Sequence, residues 1–186
     1  MTRLAILGAT GSIGRQALDV VRSQPDRLRV TAIASARNAP ELEAIATQTG
    51  ASTVVLQERD GDDALCDLAT RADVDLVLVA TPGIAGLAPT LAALGAGKRV
   101  ALANKEVLVT GGHLVAALAG GAGDRLRPVD SEHCGLWQCL IGERMASVSR
   151  VAVTASGGPF RERPLADLGS VTPDEALRHP TWKMGP

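Results

Sequence analysis

Short apolar runs alternate with longer stretches of helical period along most of this chain, and that alternation constrains the fold more than any other feature. Leu4–Leu7, Val30–Ala34, Thr53–Leu56, Leu76–Ala80, Val100–Ala103 and Leu126–Val129 read as strands. Between them, Ile13–Ser23, Pro40–Thr49, Asp63–Thr70, Ile84–Leu94, His113–Leu118 and Glu132–Ile141 read as helices. Strands separated by helices return parallel to one another through right-handed crossovers, and the helices then cover both faces of the sheet. The expected class is therefore α/β: a Rossmann-like doubly wound parallel sheet. Hydrophobic residues make up 46% of the chain and aromatics only 2%, so Ala, Val, Leu and Ile must build the core. Small side chains suit helices packed closely on a parallel sheet.

Ligands on such sheets bind beyond the carboxyl ends of the strands, so the residues just after each strand are the ones to read. After the first strand comes Gly8-Ala9-Thr10-Gly11-Ser12-Ile13-Gly14, opening the first helix. Its glycine spacing is a variant of the dinucleotide fingerprint, which needs a tight turn, a backbone that approaches a pyrophosphate, and close helix–strand contact. The helix N-terminus then offers free N–H groups to the anion, with the Thr10 and Ser12 hydroxyls beside them. After the second strand the chain reads Ala34-Ser35-Ala36-Arg37-Asn38, where an NAD-binding domain would carry an acid for the ribose hydroxyl. A guanidinium there suits a 2′-phosphate instead, so NADPH is expected over NADH, the alternative being a solvated surface arginine.

Two later constellations follow strands in the same way. In Ala103-Asn104-Lys105-Glu106, Lys105 suits a phosphate or hydroxyl and Asn104 a cofactor amide or ribose, although an ordinary helix start with paired Lys and Glu fits equally. In Asp130-Ser131-Glu132-His133, two carboxylates at i and i+2 on an extended segment project to one side and can share a hard cation, although Asp or Ser ahead of a helix is also an ordinary N-cap. Oxygen-only ligation suits Mg²⁺ or Mn²⁺ rather than Zn²⁺. Further on, Ser156-Gly157-Gly158 is a backbone-rich loop of the kind that cradles phosphate, and His179 offers a base or donor beside Trp182. Taken singly, each of the last two reads better as a surface turn.

A strand Val151–Thr154 is expected after the sixth helix, and a domain boundary near residue 147 divides 1–147 from 148–186. The second part is too short to bury a core of its own. Nineteen basic and twenty acidic residues give a net charge of −1, which exerts no general pull on nucleic acid or an anionic membrane. The three cysteines, Cys66, Cys134 and Cys139, have neither CxxC spacing nor the density of a disulfide scaffold. Without a signal peptide or a membrane-length apolar run, the expected location is cytoplasmic.

Six segments in this order and spacing resemble the 1-deoxy-D-xylulose 5-phosphate reductoisomerase family: GATGSIG at 8–14, GLAPTLAALGAGK at 86–98, ALANKEVLV at 101–109, PVDSEH at 128–133, SGGPFRERPL at 156–165 and HPTWKMG at 179–185. The resemblance implies an NADPH- and divalent-metal-dependent rearrangement and reduction of a sugar phosphate in isoprenoid precursor synthesis. By position it implies cofactor contacts at Thr10, Gly11, Ser12, Ile13, Arg37, Asn38, Asn104, Glu106 and Gly185. It implies Mg²⁺ or Mn²⁺ ligands at Asp130 and Glu132, and substrate contacts at Lys105, Ser131, Glu132, Ser156 and His179. Lys105, Glu132 and His179 are the expected catalytic residues, and a homodimer is expected of the full-length protein. Members of the family continue past the Met-Gly with a third metal carboxylate and a helical C-terminal domain, so this chain is expected to be a fragment that binds NADPH weakly and does not turn over. Region 57–75 is shorter than the family's, as if one helix and one strand were missing. Pro82 stands where the family usually has an apolar residue, and Ala36 where it has glycine. Against this reading stand an NADP(H) sensor without chemistry, to which the Asp130/Glu132 pair would be superfluous, and an inert product of a shortened gene. An aspartate-semialdehyde or homoserine dehydrogenase-like domain is a further alternative, but the former needs a second-domain cysteine and none follows residue 139.

Overall fold

The computed structural model describes residues 1–120, 125–154, 157–178 and 180. The chain divides into two compact units, Met1–Cys134 and Gly135–Pro186. In the first, strands β1 (Thr2–Leu7), β2 (Leu28–Ser35), β3 (Thr53–Leu56), β4 (Leu76–Val79), β5 (Arg99–Leu102) and β6 (Leu126–Pro128) form one sheet in the order β3-β2-β1-β4-β5-β6. Every neighbouring pair is parallel. The helices are α1 (Ser12–Ser23), α2 (Ala39–Thr49), α3 (Gln57–Asp60), α4 (Asp63–Thr70), α5 (Leu87–Gly95), α6 (Glu106–Ala119) and α7 (Ser131–Cys139), with a 3₁₀ turn at Gly83–Gly86 before α5.

The strands are short apolar runs because both faces of the sheet are covered, so alternate residues enter different cores. Ala5, Leu7, Val77, Val79, Val100 and Leu102 face one side with Leu65 and Leu68 of α4, Ala93 and Leu94 of α5, and Val107 and Val115 of α6. Ile6, Ile33 and Leu78 face the other, with Leu18 of α1 and Leu42 and Ile45 of α2. The doubly wound sheet expected from the βα alternation is thus the fold. Residues 57–75 cross from the edge strand β3 to β4 through α3 and α4, and the strand order closes without a gap.

Three local readings differ from the structure. The helix expected at His113–Leu118 begins at Glu106, because Gly111 and Gly112 kink it without ending it. Gly111 takes φ −131° there, and a Cβ on it would lie 2.6 Å from the Leu87 side chain. The expected helix Ile84–Leu94 opens instead as the 3₁₀ turn. The strand expected at Val151–Thr154 does not form: the alternating valines satisfy the pattern, but no neighbouring strand pairs with them among the described residues, and Val153 is exposed. A lone extended segment has no ladder to stabilise it.

The second unit carries 3₁₀ turns at Met145–Ser147 and Leu165–Ser170 and the single-turn helix α8 (Pro173–Ala176). A capping box of Thr172 and Glu175 starts α8, and Arg163 pairs with Glu175 at 2.8 Å while stacking over Phe160. No described residue beyond Ala119 is buried. No helix among the described residues is long and apolar enough to cross a membrane.

Candidate functional site

Because all six strands run one way, every βα loop empties onto the same edge of the sheet, and order reverses between β1 and β4. At that switch point the β1–α1 turn lies against the end of β4. Gly8 has φ +89°, and a Cβ there would meet the Ala80 carbonyl oxygen at 2.5 Å and its carbon at 2.8 Å. Gly14 is confined in the same way, its added Cβ falling 2.7 Å from Ala9 Cα. The N–H groups of Gly8 and Ala9 both donate to the Ala34 carbonyl at 2.9 Å, which ties the turn to β2. Gly11 occupies the cap of α1 with no capping side chain, and the first turn carries no acid. The positive end of the helix thus has no capping or acidic side chain on it among the described residues. Thr10 and Ser35 hydroxyls bond at 2.8 Å across the two loops, while Ser12 and Ile13 are exposed.

Arg37 is exposed and forms no ion pair among the described residues. Asn38 caps α2, its Oδ1 accepting from the Glu41 N–H at 3.3 Å and its Nδ2 donating to the Glu41 carboxylate at 2.6 Å. Arg15 also reaches Glu41. Sequence reading passed over Arg15 and Glu41; the one signal was the Asn-x-x-Glu spacing of a helix start.

Asn104 is 3% exposed and its side chain is committed inside the protein. Nδ2 donates to the carbonyls of Thr81 (2.5 Å) and Gly83 (2.8 Å), and Oδ1 accepts from Val107 N–H at 3.1 Å. It therefore braces the loop after β4 against the start of α6 and holds the wall that Gly8 packs on. The neighbouring Thr81 hydroxyl is buried without a hydrogen-bond partner. Glu106 lies exposed in the first turn of α6.

Lys105 Nζ bonds Asp130 Oδ2 at 2.9 Å, and His133 Nδ1 lies 2.9 Å from Asp130 Oδ1. These residues border an apolar cavity of about 210 Å³ walled by Leu102, Leu108, Leu126 and Pro128. Burial pushes the Asp130 carboxyl up, but hydrogen bonds from Lys105 and His133 and the Lys105 charge outweigh it and hold the group at about 2. The same bond with Asp130 raises the Lys105 ammonium. The helix expected from Glu132 begins one residue earlier, at Ser131, with the Asp130 carbonyl accepting from Cys134 N–H at 2.8 Å, so the stretch from Asp130 to Glu132 is not extended. Asp130 immediately precedes that helix and Glu132 lies exposed in its first turn. Among the described residues no group of three or more His, Cys, Asp or Glu gathers as a metal cage. The two carboxylates are nonetheless hard oxygen donors of the kind Mg²⁺ and Mn²⁺ take. Ser131 is exposed beside them. Ser156, His179, Trp182 and Gly185 lie outside the described residues.

A six-stranded 3-2-1-4-5-6 sheet with a glycine cradle at its switch point defines a Rossmann-type dinucleotide-fold domain. Comparison with known proteins narrows the class. The family model described as 1-deoxy-D-xylulose 5-phosphate reductoisomerase matches residues 4–63 and 57–112, and that of the family's C-terminal domain matches 126–186. The chain belongs to the 1-deoxy-D-xylulose 5-phosphate reductoisomerase family. The first two matches share residues 57–63, where the sequence reading places a shortened stretch. The enzyme of that name from Thermomicrobium roseum is 48% identical over 98% of this chain and 51% of its own length. The Zymomonas mobilis reductoisomerase solved in complex with NADPH is 38% identical, with a TM-score of 0.84 over 96% of this chain and 52% of that one. A reductoisomerase solved in complex with magnesium is 34% identical, with a TM-score of 0.82 over 95% and 52%. The chain spans about half the length of the relatives it matches.

Proposed function

We propose that residues 1–147 are the NADPH-binding domain, and 148–186 the beginning of the catalytic domain, of an enzyme converting 1-deoxy-D-xylulose 5-phosphate to 2-C-methyl-D-erythritol 4-phosphate. This is an isomerisation and reduction in non-mevalonate isoprenoid precursor synthesis. The observation that carries the reading is the cradle at Gly8: a backbone pressed so close to Ala80 that no Cβ fits, beside an uncapped helix end. Arg37 on the adjoining loop, which forms no ion pair among the described residues, supports a 2′-phosphate over a free hydroxyl.

When bound, NADPH supplies hydride, and Mg²⁺ or Mn²⁺ supplies a Lewis acid for the substrate's carbonyl and neighbouring hydroxyl. The chain's own residues bind and orient. Thr10, Gly11, Ser12 and Ile13 present backbone and hydroxyl donors to the pyrophosphate, and Arg37 and Asn38 take the 2′-phosphate. Asn104, Glu106 and Gly185 complete the cofactor side, Asn104 by holding the 80–83 loop in place. Asp130 and Glu132 would hold the metal. Lys105, Ser131, Glu132, Ser156 and His179 position the sugar phosphate, with Lys105, Glu132 and His179 nearest the chemistry. Lys105, whose ammonium bonds Asp130 at 2.9 Å, presents a cation toward substrate oxygens. The partners are the sugar phosphate and, in the full-length protein, a second copy. Nucleic acid and membrane are not partners, and the cytoplasm is the location.

The test is calorimetric titration of NADPH and NADH into the purified chain, with and without Mn²⁺, beside an Arg37→Glu variant. NADPH should bind at least about tenfold tighter than NADH, a gap of about 1.4 kcal/mol, and Arg37→Glu should erase the difference. Equal affinities in the wild-type chain, or no binding of either nucleotide, would overturn the reading.

A further inference from the structure

Donors from two different loops converge on one carboxylate at the edge of the nucleotide site. Arg15, in the first turns of α1, places Nε at 2.8 Å and Nη2 at 2.7 Å from Glu41 Oε1. Asn38, ahead of α2, donates Nδ2 to Glu41 Oε2 at 2.6 Å. Glu41 thus has each oxygen held by a separate donor, and the residue next to Asn38 is Arg37, which forms no ion pair among the described residues. Guanidinium and amide donors that grip a carboxylate in this way grip a phosphate equally well, because both present two or more acceptor oxygens at similar spacing.

We propose that Glu41 is a resident anion occupying the donors of the 2′-phosphate site, and that Arg15 is a second cation of that site. The proposal rests on the cofactor reading above. A 2′-phosphate then has to draw Arg15 and Asn38 away from Glu41 and settle beside a like charge, so Glu41 lowers NADPH affinity and narrows the preference over NADH. NADH, with a neutral ribose hydroxyl there, neither competes for these donors nor meets the repulsion. Helix capping does not account for the contact. The capping bond runs from the Glu41 N–H to Asn38 Oδ1 and needs no carboxylate. The Arg15 side chain is 61% exposed, and so outlying an ion pair adds little to stability. Binding can therefore be read without unfolding the domain.

The experiment is calorimetric titration of NADPH and NADH into the whole chain as wild type, Glu41→Gln, Arg15→Gln and the double variant, with circular dichroism on each. Glu41→Ala, a good helix residue, serves in place of Gln if that variant unfolds. NADPH should bind Glu41→Gln at least about threefold tighter while NADH changes by less than about twofold. Arg15→Gln should weaken NADPH alone and cancel most of the gain in the double variant. If the wild-type chain prefers NADPH but Glu41→Gln leaves NADPH unchanged or weaker, or shifts both nucleotides equally, this proposal falls and the cofactor reading stands. If the wild-type chain shows no preference for NADPH, the cofactor reading falls and takes the proposal with it.

Discussion

Replacing Gly8 by alanine, with Gly50→Ala as its control, separates the two reasons a glycine can be required. Both residues have positive φ, +89° and +68°, so both substitutions force an L side chain into the left-handed region. That costs about 1–2 kcal/mol. The surroundings differ. An added Cβ at Gly50 meets nothing within 4 Å, whereas at Gly8 it lies 2.5 Å from the Ala80 oxygen and 3.2 Å from the Thr81 nitrogen. Those atoms are backbone, and the Asn104 bonds to the Thr81 and Gly83 carbonyls hold that loop still. Overpacking adds about 1–3 kcal/mol. Gly50→Ala should therefore cost about 1 kcal/mol and lower Tm by about 2–4 °C, and Gly8→Ala about 3 kcal/mol and about 6–12 °C. Urea and thermal unfolding followed by circular dichroism measure both. Equal losses in the two variants would refute the close approach of the first turn to β4, and with it the geometry of the cradle.

Two further outcomes follow from hydrogen bonds at opposite edges of the sheet. Asn104→Ala leaves the Thr81 and Gly83 carbonyls without their donor and should cost about 1–3 kcal/mol in urea unfolding. The same change should weaken nucleotide binding by loosening the wall behind Gly8, and unchanged binding would sink the bracing role. At the other edge, hydrogen bonds from the Arg3 side chain and backbone hold the Asp75 carboxyl well below the usual carboxylate range. A group depressed in the native state stabilises above its unfolded value, near about 4, and that stability is lost as pH falls toward the native value. The urea midpoint of the wild-type chain should thus drop between about pH 5 and 2, and Asp75→Asn should flatten part of that fall; parallel curves would contradict it.

Much of the fold is legible locally. Strand positions follow from apolar runs bounded by glycine and polar residues, and they agree with the structure to within two residues at Leu4–Leu7, Val30–Ala34 and Leu126–Val129. The turn at Gly8–Gly14 announces itself because only glycine serves where backbones touch. Local pattern also misleads. Gly111-Gly112 looks like a helix break, but the packing of α6 over Leu87 carries the helix through it with a kink. Val151–Thr154 alternates like a strand, but a strand is a property of two segments and the second is missing among the described residues.

The βα rhythm, the glycine turn and the side chains that end each strand can be read along the chain alone, since they depend on near neighbours. How those side chains are used depends on the packed domain. Asn104 turned inward to two carbonyls 21 and 23 residues away, and Lys105 found Asp130 across 25 residues. Arg15 met Glu41 from another helix across 26 residues. Such pairings depend on which strands lie side by side, and strand order arises from the burial of both sheet faces at once. A polar side chain's partner is therefore set by the packing of the whole domain, which no local pattern encodes.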